Sequence, residues 1–433
     1  MNITQFTIED VRCFSERQTL EIRPLTFLVG ENSTGKTTAL ACFQVLADYL
    51  RGEGVDFNAD PYSMGIFKDI VRNSRPKAKS FKLGFTVDFV KWIVEFTQKT
   101  GGIEPAISSL SLKLSDGEIV FRVVEDWADR PDRLIDFDKK HNRCQINCDT
   151  DDLNIFHSSF VSGYLDLELK NFLEYDAEEK TALANYVETL QNSEKWRYDP
   201  WYMGDELFVF STSPIRSRPK RTYDPTREFN DPEGSDVPMY LMRIEAIEKK
   251  DWEAVKTQLV EFGRNSGLFE NIDVKNFGGS LGAPFQLQVK VRGPKANIID
   301  VGYGVSQILP VLVHILKSDP SEMTYFLLQQ PEVHLHPKAQ AELSSLLARL
   351  ANEGNRAFIV ETHSDYMIDR VRIDIIRGNI RPEDVSLIYF EPKGRIVNVY
   401  NIGFDKMGNM ENVPPHYGEF FLKESKRLLG FKE

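Results

Sequence analysis

The clearest chemistry in the sequence lies in eight residues, Gly30-Glu31-Asn32-Ser33-Thr34-Gly35-Lys36-Thr37, which match G-x-x-x-x-G-K-[ST]. Glycines in such a loop let backbone N–H groups close around phosphate oxygens, and a helix that starts there adds the positive end of its dipole. Lys36 would reach the β- and γ-phosphates, and the Thr37 hydroxyl would ligate Mg²⁺. Gly30, Asn32, Ser33, Thr34, Gly35, Lys36, Thr37 and Thr38 are therefore the candidates for binding ATP and its Mg²⁺. A glycine-rich turn with a chance match is the alternative, and both flanks oppose it. The β-rich run PLTFLVG precedes the motif, and a helical stripe of Leu40, Phe43, Leu46, Ala47 and Leu50 follows.

Other segments end where a phosphate site would need them. TYFLLQQPEVHLHP (324–337) reads as an apolar strand running out into polar residues. P-loop enzymes place the acid that holds Mg²⁺ at such a strand end, but this chain has the neutral Gln329 and Gln330. The next strand, AFIVETHSD, ends in Glu361, Thr362 and His363. A histidine there can reach a γ-phosphate, although a lone histidine is more often structural. Glu332 and Glu361 are the other carboxylates that could supply the acid. In VGYGVSQ (301–307), Gly304 and Ser306 open an apolar helix, as a second anion-binding helix end or simply as a cap.

These groups need an α/β frame to hold them. Residues 1–30 read as two strands and 35–51 as a helix. Alternating runs from 81 to 124, joined by TGG (100–102) and SDG (115–117), predict an antiparallel β subdomain. The stretch 126–250 is harder to read, with a helix expected at 178–191, a strand at 206–210 and helices at 238–249 and 251–265. After 285 the pattern alternates again. Helices are expected from 304, at 337–352, at 365–377 and at 418–428, with strands between them and a terminal hairpin.

Composition narrows the class. The 433 residues suggest about two or three domains. With 53 Lys and Arg against 65 Asp and Glu, the formal charge is −12, so the chain can meet nucleic acid only through a local basic patch. The loop with Arg216, Arg218, Lys220, Arg221 and Arg227 is the best such patch; a solvated loop is the alternative. Four cysteines make no secreted disulfide framework, and the longest apolar run falls short of the roughly 18 residues of a membrane span. A reducing cytoplasm and no membrane partner are the expectation. Cys144 and Cys148 with His141 lack the second ligand pair of a zinc site, and no G-x-S-x-G elbow supports nucleophilic catalysis.

The order P-loop, long insertion, GYGVSQ, strand-QQPEVHLHP and ETHSD resembles the ABC-type ATPase heads, which include RecF and the SMC proteins. It is most similar to the OLD-like ATPases of bacterial anti-phage systems of the Septu, retron and PARIS type. SPIRSRPKRTY, DVGYGVSQILP and NVPPHYGEFFLKESKRLLGF look typical of that group. The resemblance covers 1–50 and 285–433 well. It implies an α/β, ABC-type P-loop head with a mixed central sheet, an antiparallel β subdomain and a helical insertion. The parts would be 1–52 (head with P-loop), 53–125 (β subdomain), 126–284 (mostly helical insertion with the basic loop) and 285–433 (rest of the head).

By the same resemblance, Gly304 and Ser306 would contact the γ-phosphate bound by another subunit. His363 would be the switch histidine, and Glu332, His334 and His336 would follow the Walker B strand across a dimer interface. Arg12 and Phe14 would lie near ribose and adenine. A homodimer is the implied minimum. The implied role is an ATP-hydrolysing scaffold or sensor that controls an effector nuclease or toxin in trans, answering to a phage-derived trigger or nucleic acid. The alternatives are a RecF- or SMC-like DNA-maintenance ATPase and a hydrolysis-deficient structural subunit. A nuclease within this chain is not expected.

The sequence departs from the family pattern at 329, which is acidic there. Gln329 would stand beside Thr37 in the metal site with the shape of glutamate but no charge, and Gln330, Glu332 and His363 would complete the catalytic set. The other motifs are intact, which favours a Glu-to-Gln change that traps ATP over a naturally impaired enzyme.

Overall fold

Three strands open the chain, β1 (Ile3–Glu9), β2 (Gln18–Glu21) and β3 (Leu25–Gly30), where alternation predicts two. The extra break is local. Arg23 N–H donates to the Thr26 hydroxyl, which donates back to the Arg23 carbonyl, closing a turn around Pro24. That turn separates two sheets. β1 pairs with β2 and with β4 (Ser80–Val87), whereas β3 enters a parallel sheet. The computed structural model describes residues 2–73, 77–87, 90–113, 118–123, 135–138, 143–148, 207–225, 231–278, 282–319 and 321–418. The helix expected at 178–191, nearly all of that expected at 418–428, the SDG turn, His141 and Arg227 lie outside the described residues.

The first sheet has the order β2-β1-β4-β5-β6-β7-β9-β8, with β5 (Val90–Gln98), β6 (Pro105–Lys113), β7 (Glu118–Val123), β8 (Ile135–Asp138) and β9 (Arg143–Cys148). Its pairs are antiparallel except β7 with β9. The β5–β6 connection passes through Gly101 at φ +70°, as the TGG signal predicts.

The second sheet carries the site. Its order is β10 (Phe208–Thr212), β14 (Thr324–Gln329), β15 (Arg356–Glu361), β3, β16 (Val385–Lys393), β17 (Ile396–Phe404) and β18 (Met410–Glu411). The first five run parallel, β17 returns antiparallel to β16, and β18 turns back antiparallel to β17, a mixed sheet as expected. A small antiparallel sheet comprises β11 (Asn271–Asn276), β12 (Phe285–Lys290) and β13 (Ala296–Asn297). The described part of 126–284 thus holds strands as well as helices, and β10 lies along β14 in one sheet with the C-terminal segment.

The helices are α1 (Lys36–Leu50), the single turn α2 (Phe67–Ile70), α3 (Val237–Ala246), α4 (Lys249–Ser266), α5 (Tyr303–Leu316), α6 (Pro337–Asn352) and α7 (Asp365–Ile376). The pattern of alternate burial along the parallel strands sorts the layers. Tyr325, Leu327, Ala357, Ile359 and Phe390 pack with α1 and the antiparallel sheet, while Phe326, Leu328, Phe358, Val360 and Leu387 pack with α3 to α7. α1 is therefore buried nearly all round. Among the described residues, no helix is long and apolar enough to cross a membrane.

Candidate nucleotide-binding site

β3 delivers the chain to the loop and α1 receives it, so the motif sits at the carboxyl ends of the parallel strands, where open α/β sheets bind ligands. Two glycines are required by packing as well as by conformation. Gly30 has φ +144°, and a Cβ there would lie 2.5 Å from the Phe390 carbonyl oxygen of β16. Gly35, the N-cap of α1, has φ +89°, and its Cβ would lie 2.7 Å from Cys13 Sγ and 2.8 Å from the Phe14 ring. The Thr34 hydroxyl donates to Glu31 O at 2.8 Å and stiffens the loop. Glu31, Asn32, Ser33 and Thr37 are exposed, and Thr38 is buried.

Lys36 is only 3 % exposed. Its ammonium donates to the carbonyls of Gly30 (3.1 Å) and Glu31 (2.6 Å), so it lies across the loop it serves. Burial pulls its pKa below the usual lysine value, against the pull of Glu361 and Glu31. The Thr37 hydroxyl donates to Glu361 Oε2 at 2.8 Å.

The strand ends lie side by side. Gln329 of β14 is in register with Glu361 of β15, and Glu361 with Leu28 of β3. Gln329 is buried, and its Nε2 meets no hydrogen-bond partner of good geometry among the described residues. Gln330 has φ +42°, and its N–H donates to Glu361 O at 2.8 Å. Glu332 is buried. Its Oε1 accepts from the Thr362 hydroxyl (2.7 Å) and the His363 N–H (2.9 Å). Burial raises its pKa, with these bonds and Arg216 opposing. His363 stands exposed at the rim, its pKa lowered by partial burial and by Lys36. Beside the loop, a cleft of about 1330 Å³ opens from Gly30, Glu31 and His363 toward Tyr389, Glu391 and Tyr417.

Arg216 is the residue the sequence misplaces. It is expected in an exposed basic loop and is 2 % exposed. Its NH2 donates to the carbonyls of Gln329 (3.2 Å) and Gln330 (3.4 Å), while Nε and NH1 are buried without partners among the described residues. Burial lowers its pKa to about 10, and Glu332 opposes the fall. The available signal was its position just past β10, a strand that ends on the same edge of the sheet. Arg221 forms a two-bonded pair with Asp300, at 2.8 and 2.5 Å, leaving Arg218 and Lys220 exposed among the described residues of the loop.

Arg12 reaches α1. Its guanidinium donates to Thr38 Oγ1 (3.1 Å), Met64 O (3.0 Å) and Asp69 O (3.2 Å). Phe14 is completely buried beneath Gly35 and edge-on to Phe390, packed against the underside of the loop. α5 starts elsewhere. A Cβ on Gly304 would lie 2.7 Å from His334 O, and the buried Ser306 hydroxyl donates to Tyr303 O at 2.9 Å. Gly302 and Tyr303 are the exposed residues at this helix end, and Tyr303 sits edge-on to His334. His336 caps α6, its Nδ1 accepting from Lys338 N–H.

A glycine loop between a parallel strand and a buried helix, with lysine and threonine at the helix start and polar strand ends alongside, defines a P-loop ATPase fold of mixed α/β type. Residues 236–368 match the family model described as AAA ATPase domain. The match runs from the N-cap of α3 into α7 and takes in both polar strand ends, although not the P-loop. No curated protein matches the chain. One similar solved structure is the SmcHead bound to the C-winged helix domain of ScpA, 11 % identical with TM-score 0.48 over 93 % of this chain and 98 % of that one. Another is the Smc head domain with an extended coiled coil bound to the C-terminal domain of ScpA, derived from Pyrococcus furiosus, 12 % identical with TM-score 0.44 over 98 % and 99 %. A third is the SMC head domain from Thermotoga maritima, 10 % identical with TM-score 0.40 over 92 % and 98 %.

Proposed function

We propose that this chain binds ATP with Mg²⁺ at the P-loop, hydrolyses it, and serves as the nucleotide-driven scaffold or sensor of a bacterial anti-phage defence complex. One observation carries the enzymatic half: Lys36, Thr37, Glu361 and His363 converge at adjoining ends of α1 and β15. The donors suit the ligands. The Thr37 hydroxyl is a hard oxygen group of the kind Mg²⁺ takes, with the Glu361 carboxylate behind it, and loop N–H groups with an ammonium suit phosphate oxygens. Mg²⁺, when bound, neutralises charge on those oxygens. Lys36 trades its two loop carbonyls for phosphate, which a flexible stem and three N–H donors allow. His363 stays neutral near pH 7, offering one N–H and one acceptor nitrogen at the rim.

The defence role rests on the likeness of SPIRSRPKRTY, DVGYGVSQILP and NVPPHYGEFFLKESKRLLGF to the OLD-like group. On this reading two ABC-type heads close on ATP through the exposed start of α5, and a partner protein carries the nuclease or toxin. A RecF- or SMC-like DNA-maintenance role is less well supported, because Arg216 is buried under the site and Arg221 is paired with Asp300 on the surface. Calorimetry of Lys36→Ala should show ATP affinity lower by more than about tenfold, the loss of a charge-assisted phosphate contact. Equal affinity would sink the site assignment. Co-purification with a toxic partner supports the scaffold, whereas DNA binding that falls steeply with salt supports the rival.

A further inference from the structure

The P-loop chemistry needs an acid opposite Thr37, and the usual strand end offers only amides. We infer that Glu361 supplies that carboxylate from the neighbouring strand, holding the Thr37 hydroxyl and balancing the charge of Mg²⁺. The inference rests on the nucleotide-site reading above and names the residue that position 329 leaves missing.

Three observations carry it. The first is contact: Glu361 Oε2 accepts the Thr37 hydroxyl at 2.8 Å. A threonine that ligates a cation through an oxygen lone pair must direct its hydrogen elsewhere, and an outer carboxylate acceptor fixes that direction. The second is order. β15 lies between β14 and β3, so Glu361 is one strand nearer the P-loop than Gln329. The third is exclusion of the other acid. Glu332 Oε1 is occupied by Thr362 and the His363 N–H, and its charge faces Arg216.

The pairing also sets positions 329 and 361 side by side. Gln329 and Glu361 are direct cross-strand neighbours, both buried. Adjacent strands are about 4.8 Å apart, and a second carboxylate there would repel the first. Glu361 is thus a positioning residue that acts on the metal through Thr37, and Gln329 is its uncharged neighbour.

The test uses the full chain and four proteins: the parent, Glu361→Gln, Gln329→Glu, and the exchange Gln329→Glu with Glu361→Gln. ATP affinity is measured by calorimetry with and without Mg²⁺, Mn²⁺ binding in the presence of a non-hydrolysable ATP analogue by electron paramagnetic resonance, and phosphate release separately. Glu361→Gln should keep metal-free ATP binding within about twofold, yet lose at least about tenfold of the Mn²⁺ affinity, the range for outer-shell partners of a metal site. The exchange, which returns one carboxylate to the same edge, should recover part of that loss. Unchanged Mn²⁺ affinity in Glu361→Gln would overturn the assignment while leaving the ATP site standing. So would at least tenfold faster phosphate release from Gln329→Glu alone, because the acid would then belong at 329. A parent that binds no ATP would remove the site reading itself.

Discussion

Arg216 shows how much a single side chain can hold at this site. Its guanidinium bonds the carbonyls of Gln329 and Gln330, the second of which sits in the left-handed region. Its charge faces Glu332, whose carboxylate in turn holds Thr362 and the backbone of His363. The ends of β14 and β15 are therefore joined by polar contacts out of water. Removing the guanidinium leaves two buried carbonyls short of a donor and Glu332 without the opposite charge, so Arg216→Met should cost about 1–3 kcal/mol. Adding Glu332→Gln should recover a good part of this, since the stranded charge is then gone. Urea unfolding of the single and double variants reads both numbers, and a double variant no more stable than the single would show that the two charges are not coupled.

At the scale of elements, α5 depends on a buried polar joint. His314 near its end is stacked on Phe210 of β10 at 4.3 Å, and its Nε2 lies 3.2 Å from Asp236 Oδ1 at the N-cap of α3, off the line of a good hydrogen bond. Lys317 donates to the other oxygen of Asp236 at 3.0 Å. Burial lowers the His314 pKa below 6.5, with Lys317 adding to the fall and Asp236 and Asp231 opposing it. The folded state then binds fewer protons than the unfolded chain through this pH range. Its stability is complete above 6.5 and is lost as pH falls through the folded pKa. The urea midpoint should therefore drop between about pH 7 and about pH 5, and His314→Gln should flatten that drop. An equally steep drop in His314→Gln would place the titrating group elsewhere.

The two large sheets are tied together through α1. Phe43 on this helix meets Phe6 of β1 (5.6 Å between ring centres), Phe85 of β4 (4.7 Å) and Tyr325 of β14 (5.7 Å). Those rings come from both large sheets, and Tyr325 also accepts the Ile3 N–H through its hydroxyl at 2.7 Å. Phe43→Ala should cost about 3–5 kcal/mol, the usual range for an emptied aromatic site in a core. Because α1 also starts at the P-loop, the same variant should weaken ATP binding without touching a ligand contact. A variant that unfolds with the parent's midpoint would mean that the two sheets are not coupled through this ring.

The sequence by itself determined the local features. The motif at 30–37, the helices at 303–316, 337–352 and 365–376 and the hairpin of β16 and β17 follow from periodicity and end signals that act within a few residues. The need for glycine at 30 and 35 was legible too, although the clashes with Phe390 and Cys13 that enforce it were not. Tertiary structure alone decided which elements are neighbours. Alternation in residues 3–9 says that one face is buried, but not that β1 pairs with β4 while β3 joins β15 and β16. Composition marks Arg216 as a surface cation, and only the placement of β10 beside β14 carries it under the site. Likewise Glu361 is one of several acids until β15 is inserted between β14 and β3 and brings its carboxylate to Thr37. The reason is physical: hydrophobic period fixes a residue's face, whereas its partner across a sheet is fixed by long-range packing that no local pattern encodes.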